Sequence, residues 1–252
     1  GLSPDECMGT AAAQRLRALS HGMEEGRPRI LPDVAMPGGV RYDCVVQRTG
    51  DAIVVECEPA AWPEKTAALV TSLRAVHEQL HDPADVPGLL RRAIPEMRRI
   101  FGYARAMGYL FAPDLSGKVI VEDSSQGLER FLGQHFPSTD IPAQARELYC
   151  RSLIRVIGDA AFERVPLLEQ PGLPALDMSF MHLRAVSPVH CEYLGNMGVR
   201  ASMSISLVVD GRLWGLIAFH HYAPRRLTLP ERATARMLGE FVALQLIALV
   251  RT

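Results

Sequence analysis

Two strand-like segments, residues 201–209 and 212–222, constrain the fold of this chain more than any other feature of its sequence. They flank Asp210-Gly211, a dipeptide that strongly favours a two-residue hairpin turn. In the first segment apolar residues alternate with hydroxyl residues, which are Ser202, Ser204 and Ser206. Because successive side chains of a strand point to opposite faces, the three serines belong to one face. The sequence therefore predicts an antiparallel hairpin with one apolar face and one serine face.

The serine face has two interpretations. An antiparallel sheet commonly leaves one face in water, and serines suit such a surface. Small side chains with hydroxyl donors also suit a cavity that holds a carboxylate or a phosphate. The hairpin alone leaves both interpretations open.

Other segments complete an α+β pattern. Helices are predicted over residues 8–20, 65–81, 85–101, 127–132, 142–152, 188–196 and 230–250. Strands are predicted over residues 41–47, 52–58, 103–111 and 118–122, and residues 160–179 are typical of a loop. Asp85 is the expected N-cap of the third helix, and Pro95 within it predicts a kink. The expected architecture is a central antiparallel sheet flanked by helices.

Composition argues against several classes of partner. The net charge of −1 gives no support for binding to nucleic acid or to an anionic membrane. The longest apolar run, residues 244–250, is far shorter than the roughly 20 residues that cross a bilayer. The five cysteines lack CxxC spacing, and no secretory-signal pattern opens the sequence. Reduced thiols and a cytoplasmic location are therefore predicted.

Further polar residues lie in two short stretches. The first is Pro137-Ser138-Thr139-Asp140-Ile141-Pro142, followed by Tyr149 and Arg155. The second is Arg184, then Ser187-Pro188-Val189-His190-Cys191-Glu192-Tyr193, and it leads to His220 in the hairpin. Taken singly, these residues are typical of helix caps and solvated charges. Their order and spacing as a set favour a shared site.

That set resembles the bilin pocket of the phytochromes, bacterial branch. The run from Pro137 to Pro142 is similar to the PxSDIP element of that family, with Thr139 where the family has serine. The resemblance implies a GAF domain over residues 62–252, with a lead-in helix at its start and a dimer helix at its end. Residues 1–61 resemble the C-terminal part of a PAS domain.

The resemblance implies a linear tetrapyrrole, biliverdin or another bilin, as cofactor. The backbone carbonyl of Asp140 would face the pyrrole nitrogens, and its carboxylate would be free for an arginine of a neighbouring module. His190 would hydrogen-bond near the inner pyrroles, and His220 would bond the carbonyl of the rotating terminal ring. The propionates would be held by Arg155, Arg184, Tyr149, Ser202 and Ser204. The terminal ring would be packed by Met107, Tyr109, Phe136, Ile141 and Tyr193, and Pro142 is counted with the cofactor-binding residues.

Covalent attachment is an open question at this point. The family typically uses a cysteine before the PAS core or a GAF cysteine directly before the motif histidine, and the second position is Val189 here. Cys191 is therefore the candidate for a thioether, noncovalent binding is the alternative, and Cys150 is a distant second candidate. The other cysteines are expected to be structural.

The function implied by the resemblance is a red/far-red light photoreceptor module, which is not itself an enzyme. Photoisomerisation of the bilin would signal to a PHY and output module that this sequence does not include, and the fragment would show impaired photoconversion and near-infrared fluorescence. Full-length relatives often carry a histidine kinase output. The alternative is a GAF sensor domain that binds a cyclic nucleotide or another small anion through Arg155, Arg184 and the serines.

A metal or nucleophile site is a third, weaker hypothesis. It would use His190, Cys191, His220 and His221. Adjacent residues of a helix or strand point apart, so the His-Cys and His-His pairs suit a metal poorly, and no metal is predicted.

The last helix and the hairpin register carry two further expectations. The helix from Pro230 has apolar residues on more than one side, which predicts a homodimer interface. An ideal two-residue loop at Asp210-Gly211 places His220 opposite Ala201, on the face opposite Ser202. A bulge or strong twist near His220 would be needed to bring His220 and Ser202 to one ligand.

Overall fold

The structure is a computed structural model that describes residues 3–80, 83–168 and 171–251, with the side chains of residues 62–68 left undescribed. The chain forms two compact units. The first unit contains Gly1–Thr66, Glu163–Ala185 and Thr228–Pro230, and the second contains Ala67–Phe162, Val186–Leu227 and Glu231–Thr252. The predicted division into domains at residues 61 and 62 stays a prediction, and residues 163–185 pack with the first unit.

The first unit is a three-stranded antiparallel sheet with two short helices. The helices are α1 (Pro4–Met8) and α2 (Thr10–Ser20), and the strands are β1 (Arg29–Ala35), β2 (Arg41–Thr49) and β3 (Ala52–Pro59), in the order β1-β2-β3. The sequence predicts β2 and β3 but gives no signal for β1. Its register shifts between Leu31 and Val34, and Asp33 has a φ of 53°. A strand interrupted by a bulge loses the alternation that sequence reasoning depends on.

Residues 163–168 and 171–185 form a loop, as predicted for most of that segment, and buried polar groups fasten it to the first sheet. Glu56 accepts hydrogen bonds from Gln47 Nε2 at 2.8 Å and from the backbone N–H of Leu183 at 2.6 Å. Thr49 Oγ1 donates to the carbonyl of Asp177 at 3.1 Å. The loop therefore gains fixed partners on β2 and β3 without forming a helix or strand itself.

The second unit is built on a six-stranded antiparallel sheet. Its strands are β4 (Arg105–Phe111), β5 (Gly117–Ser124), β6 (His135–Phe136), β7 (Ile154–Ile157), β8 (Ala201–Val209) and β9 (Arg212–His221), in the order β6-β5-β4-β9-β8-β7. The helices of this part of the chain are α3 (Trp62–Gln79), α4 (Val86–Phe101), α5 (Ala143–Arg151), α6 (Pro188–Asn196) and α7 (Leu229–Arg251). The expected α+β class is confirmed. The short strands β6 and β7 were not predicted.

Helix α4 shows how the sequence sets an element that supports the sheet. Asp85 caps its start by accepting a hydrogen bond from the backbone N–H of Gly88 at 2.6 Å, as predicted. Gly102 ends it in the left-handed conformation with a φ of 62°. The helix continues through Pro95, and its buried face consists of Leu89, Leu90, Ala93, Ile94, Met97 and Phe101. This face packs into the main apolar core with one face of the six-stranded sheet.

Helix α7 packs into the same core. Leu238, Val242 and Leu246 are buried there, and a Cβ added to Gly239 would lie 2.3 Å from Ile205 Cγ2. Glycine at 239 therefore lets α7 approach β8 closely. Helix α7 has 23 residues and contains an 18-residue window with a mean hydropathy of 1.5, so by length and composition alone it could cross a membrane, and the short run 244–250 understates its apolar length. Its buried leucines and valine are typical of a core helix of a folded domain.

The predicted helix over residues 127–132 is wrong. The segment contains turns and irregular backbone, and Gly127 has a φ of 82°. Glu122 Oε2 accepts hydrogen bonds from the backbone N–H groups of Phe131 and Leu132, each at 2.9 Å. Because a buried carboxylate from β5 satisfies these two amides, the segment follows the sheet as a loop.

Candidate ligand-binding site

A β-bulge in the hairpin brings His220 onto the serine face. Val208 pairs with Leu213, but Leu207 pairs with Gly215, so Trp214 is an extra residue on β9. The shift places His220 directly opposite Ser202, and directly opposed residues share a face. The register expected from an ideal two-residue loop is therefore wrong. The bulge that corrects it lies beside the turn, whereas sequence reasoning placed it near His220.

The pairing of the strands gathers the polar residues of the sheet on the same face. In one row of opposed residues, Ser202 lies opposite His220, which lies opposite Arg105. In the next row, Arg155 lies opposite Ser204 on the neighbouring strand. That second row continues through Ala218 and Met107 to Glu122, and a third row consists of Ser206, Leu216 and Tyr109.

The serine face is buried, so the solvated interpretation is wrong. Ser202, Ser204 and Ser206 are exposed by 9%, 8% and 3% of their surface. The hydroxyl of Ser206 has no hydrogen-bond partner among the residues that the structure describes. A buried hydroxyl without a partner costs free energy, and a bound polar ligand would recover it.

Arg155 carries an unmet cation on this face. Its guanidinium carbon lies 5.7 Å from the centre of the Tyr149 ring, which α5 supplies. Burial lowers the pKa of Arg155, and its buried Nη1 finds no hydrogen-bond acceptor within the described chain. A guanidinium in this state favours a carboxylate or phosphate ligand, which it can bind with two parallel hydrogen bonds.

Two histidines face the same region in the neutral form. Burial lowers the pKa of His220 to about 4, with smaller contributions from Arg105 and His190, and its Nδ1 is unpartnered among the described residues. His190 lies on α6, where burial lowers its pKa and Arg155 adds to the effect. A neutral imidazole has one donor and one acceptor nitrogen, so each ring can bond a ligand N–H or carbonyl near pH 7.

Asp140 and Tyr193 form a polar contact at the edge of the site. The Tyr193 hydroxyl donates to Asp140 Oδ2 at 3.3 Å. The Tyr193 ring lies nearly parallel to the His190 ring, with 6.3 Å between the ring centroids. Burial, followed by the charge of Asp140, raises the pKa of Tyr193 to about 12. Asp140 does not cap α5, whose N-cap is Pro142. Its carboxylate already accepts one hydrogen bond from this chain, where the sequence expectation left it free.

The predicted ring-packing residues largely come together. One apolar cluster contains Met107, Tyr109, Phe136 and Ile141, together with Tyr149, Phe131 and Leu216. Tyr109 and Phe136 lie 5.8 Å apart between ring centroids. Burial is also the main reason that the pKa of Tyr109 rises to about 12, so its hydroxyl stays protonated and can donate. The site therefore has a polar row and an adjoining apolar end.

Sequence reasoning missed the buried pair Arg105 and Glu122. Arg105 Nε lies 3.2 Å from Glu122 Oε1, and the two side chains are only 1% and 3% exposed. The guanidinium also lies over the Phe131 ring at 3.9 Å and donates to the carbonyl of Glu129. The period-two spacing of Arg105 with Met107 and Tyr109 places all three on one face of the predicted strand. That spacing was the available signal.

The remaining candidates have separate positions. Arg184 belongs to the first unit, where its Nη1 lies 3.5 Å from the carbonyl of Met178. Cys191 is half-buried on α6, next to His190 in sequence, and Cys150 is half-buried on α5. Among the described residues, no group of three or more histidine, cysteine, aspartate or glutamate side chains could hold a metal ion.

Comparisons with known proteins give a consistent set of relatives. Residues 85–246 match the GAF domain. The chain is 47% identical over 165 residues to a bacteriophytochrome of Pseudomonas aeruginosa, with 64% of this chain and 22% of that protein covered. It is 35% identical over 219 residues to cyanobacterial phytochrome B of Nostoc, with 83% and 28% covered. The chain thus spans less than a third of these relatives.

Solved structures agree with the sequence relatives. The chromophore-binding domain of an unusual bacteriophytochrome from R. palustris superposes with a TM-score of 0.86 and 37% identity, covering 97% of this chain and 81% of that one. The photosensory core module of a Stigmatella aurantiaca phytochrome superposes with a TM-score of 0.88 and 34% identity, covering 98% and 50%.

Proposed function

Because this chain belongs to the GAF domain family and, within it, to the chromophore-binding region of the phytochromes, we propose that it binds a linear tetrapyrrole and senses red and far-red light. The cyclic-nucleotide alternative is not favoured, since the relatives in sequence and in structure are phytochromes.

The observation that supports this most is the unmet polarity of the serine face. Arg155 Nη1, Ser206 Oγ and His220 Nδ1 are buried, and the described chain gives them no hydrogen-bond partners. They adjoin the apolar cluster of Met107, Tyr109 and Phe136. A linear tetrapyrrole matches this division, because it combines acidic propionates with apolar, ring-shaped ends and polar ring nitrogens and carbonyls.

Each residue of the proposed site has a role that follows from its chemistry. Arg155, with Ser202 and Ser204 beside it, binds the propionates as a charge-assisted donor set. Tyr149 supports the guanidinium of Arg155 through its ring face. His190 and the Asp140 carbonyl bond the inner ring nitrogens, and Pro142 shapes the loop beside them. His220 bonds the terminal-ring carbonyl, and the surrounding contacts come from Met107, Tyr109, Phe136, Ile141 and Tyr193.

The photochemistry belongs to the pigment, which absorbs red light and isomerises at a methine bridge when it is bound. The chain keeps His220 neutral by burial, so that its ring can exchange one hydrogen-bond partner for another without a change of charge. The Tyr193 hydroxyl, now on Asp140, is a second group whose bond can be redirected. Such an exchange can bias a two-state element, which is the basis for signalling without breaking a substrate bond.

The finer assignments are also proposals. The pigment is biliverdin, and the Cys191 thiol forms a thioether by adding its S–H across a vinyl double bond, with the proton passing to the second vinyl carbon. Exposed apolar side chains on α7, at Met237, Leu244 and Val250, support a homodimer through this helix. We further propose a cytoplasmic, non-enzymatic module whose light signal passes to a PHY and output module.

Reconstitution tests ligand, attachment and photochemistry in one series. The apoprotein is mixed with biliverdin, the red absorbance is recorded, and the denatured chain is then examined for pigment that remains attached. Cys191→Ser is compared with Cys150→Ser as the matched half-buried thiol. We expect colour in all three proteins and loss of retained pigment only in Cys191→Ser. Red illumination should bleach the red band only in part, because impaired photoconversion is expected of this chain.

The outcomes separate the proposals. A folded chain that stays colourless in excess biliverdin would falsify the function. Colour with no retained pigment in the unsubstituted chain would leave a noncovalent bilin protein and reject the thioether. Colour that red light does not change would reject the photoreceptor role and leave a bilin carrier.

A further inference from the structure

Two cysteines face each other in the first unit, outside the proposed bilin site. Cys44 on β2 and Cys57 on β3 are directly opposed in the antiparallel register, and the Cys44 thiol donates to the Cys57 sulfur with 3.5 Å between the sulfurs. Opposed residues of an antiparallel pair have Cα atoms about 4.5–5.5 Å apart. That separation lies within the range of about 4.4–6.8 Å that a disulfide spans. A bond between these sulfurs therefore requires little movement of the strands.

The two thiols differ in access and in reactivity. Cys44 is fully buried in the apolar cluster formed by Met8, Leu16 and Leu31, whereas Cys57 is half-buried at the edge of that cluster. The hydrogen bond from Cys44 lowers the pKa of Cys57, while the same bond and burial raise the pKa of Cys44. Cys57 is thus the thiol that an incoming reagent can reach, and it is also the better source of thiolate.

We propose that Cys44 and Cys57 form a redox-modifiable dithiol that closes to a disulfide by exchange with a low-molecular-weight disulfide. In the first step the Cys57 thiolate attacks one sulfur of the reagent, its S–S bond breaks, and one thiolate leaves. In the second step the Cys44 sulfur displaces the other half of the reagent from Cys57 and loses its proton. Two protein thiols are oxidised, and one disulfide is reduced to two small thiols.

The position of the pair gives its closure a structural consequence. Glu56 precedes Cys57 on β3 and therefore lies on the opposite face, where its carboxylate holds Gln47 and the backbone N–H of Leu183. A covalent bond at Cys57 fixes the register of β3 against β2. Closure therefore steadies the carboxylate that holds the loop at Leu183, so the oxidation state of one sheet face reaches the loop on the other.

Redox titration followed by peptide mapping tests the proposal on the whole chain. The protein is equilibrated with graded ratios of reduced and oxidised glutathione, quenched with an alkylating reagent and digested with trypsin. Cleavage after Arg41, Arg48 and Lys65 places Cys44 and Cys57 in separate peptides. We expect these two peptides to be joined under oxidising ratios, with a loss of about 2 Da relative to the two reduced peptides. Exposed Cys7 is the internal control and should carry only a glutathione adduct.

Single substitutions resolve the order of the steps. In Cys44→Ser we expect a lasting glutathione adduct on Cys57, because the resolving sulfur is gone. In Cys57→Ser we expect Cys44 to stay unmodified, because it is buried. If either variant fails to fold, the mapping of the unsubstituted chain decides alone.

Three results would overturn the inference. Full alkylation of both cysteines under oxidising ratios shows that the pair is only a packed set of small side chains. A glutathione adduct that persists on Cys57 in the unsubstituted chain shows that Cys44 cannot resolve it. If the bond forms but amide hydrogen exchange at residues 177–183 is equally fast in both states, the proposed coupling to the loop is rejected.

Discussion

The two faces of the six-stranded sheet are both buried, but they differ in whether the chain itself provides contact partners for their side chains. On the apolar face, Met203, Ile205 and Phe219 are fully buried and pack with α4 and α7, so the chain supplies every partner itself. On the serine face, Ser206, Arg155 and His220 carry buried polar atoms for which the described chain supplies no partner. Neighbouring residues of one strand thus serve two purposes. The apolar face stabilises the fold, and the serine face has polar atoms without partners that a ligand could bind.

The difference is energetic as well as chemical. Packed apolar side chains contribute about 2–5 kcal/mol each when a large one is truncated to alanine. Buried polar groups without partners cost about 1–3 kcal/mol each until something binds them. Substitutions on the two faces should therefore change different measurements.

Adjacent positions on β9 give the strongest test. Phe219→Ala removes a ring that packs between Phe101 and Tyr103, and we expect the free energy of unfolding to fall by about 3–5 kcal/mol. His220→Ala, one residue further along, should change unfolding of the apoprotein far less and alter the absorbance of the bound pigment. Denaturant unfolding and spectroscopy measure the two effects. Equal losses of stability in both variants would contradict the division between the faces.

The Arg105 and Glu122 pair is the place where the serine face should behave like a core. Glu122→Gln leaves the Arg105 cation buried without a counter-charge, and we expect a loss of about 3 kcal/mol or more. Adding Arg105→Met to Glu122→Gln removes the stranded cation and keeps a side-chain oxygen for the backbone N–H groups of Phe131 and Leu132, so it should recover much of that loss. A double-mutant cycle on the apoprotein measures it. Additive losses would show that the two side chains do not act as a pair.

Acid should weaken the fold through His220. In the folded state the His220 imidazole takes up a proton only near pH 4, whereas in an unfolded chain it does so near pH 6.5. Stability attributable to the neutral ring is therefore present above pH 6.5 and is lost as the pH falls through this window, by up to about 3 kcal/mol. Unfolding of the apoprotein at a series of pH values checks this. His220→Gln should flatten the profile, and an unchanged slope in that variant would reject the assignment.

Arg155→Gln should reduce pigment affinity more than stability. Loss of a charge-assisted hydrogen bond costs about 1.5–3 kcal/mol, or roughly 10- to 150-fold in affinity. The apoprotein should be as stable as before or more stable, because a buried cation has been removed. Arg151→Gln is the matched control, since that arginine is exposed and pairs with Glu147 on α5. Equal affinity in the two variants would exclude Arg155 from the site.

The smallest effect concerns a single hydroxyl. Ser206→Ala removes a buried oxygen that lacks a partner within the described residues, so the apoprotein should gain about 1 kcal/mol. Ser152→Ala is the comparison, because Ser152 Oγ donates to the carbonyl of Ile154 at 3.3 Å and its loss should destabilise. Calorimetry of the two variants measures this. The same sign in both would mean that the Ser206 hydroxyl is satisfied.

The sequence predicts the regular parts of this fold well because their signals are local. Helix α6 begins at Pro188 and ends at Asn196, as the sequence predicted, and Asp85 caps α4 as expected. The position of the bulge at Trp214 escapes prediction because it depends on how β9 pairs with β8. The loop over residues 127–132 looks helical until Glu122, from another element, takes two of its amides.

In the candidate site, too, the features with local sequence signals were predictable and those that depend on the pairing of distant elements were not. The serine face, the arginines and the aromatic residues could be found from alternation and from the resemblance. That Arg155 lies opposite Ser204 required the pairing of β7, a strand of four residues with little signal of its own. The Arg105 and Glu122 pair was hidden because two charges in predicted strands are ordinarily placed in water.

The extra residue at Trp214 acts as a half-period phase change in β9. Between the turn and Trp214, the side chains of β9 alternate between the faces as a two-residue hairpin predicts. After Trp214, the assignment to the serine face and the apolar face is exchanged. If a gap is misplaced between the turn and Gly215 when a related sequence is aligned, residues of the serine face will be assigned to the apolar face over the rest of the strand, and the reverse. Insertions or deletions there are consequently not neutral loop variation, because each one decides whether an imidazole or a benzyl group lies on the serine face.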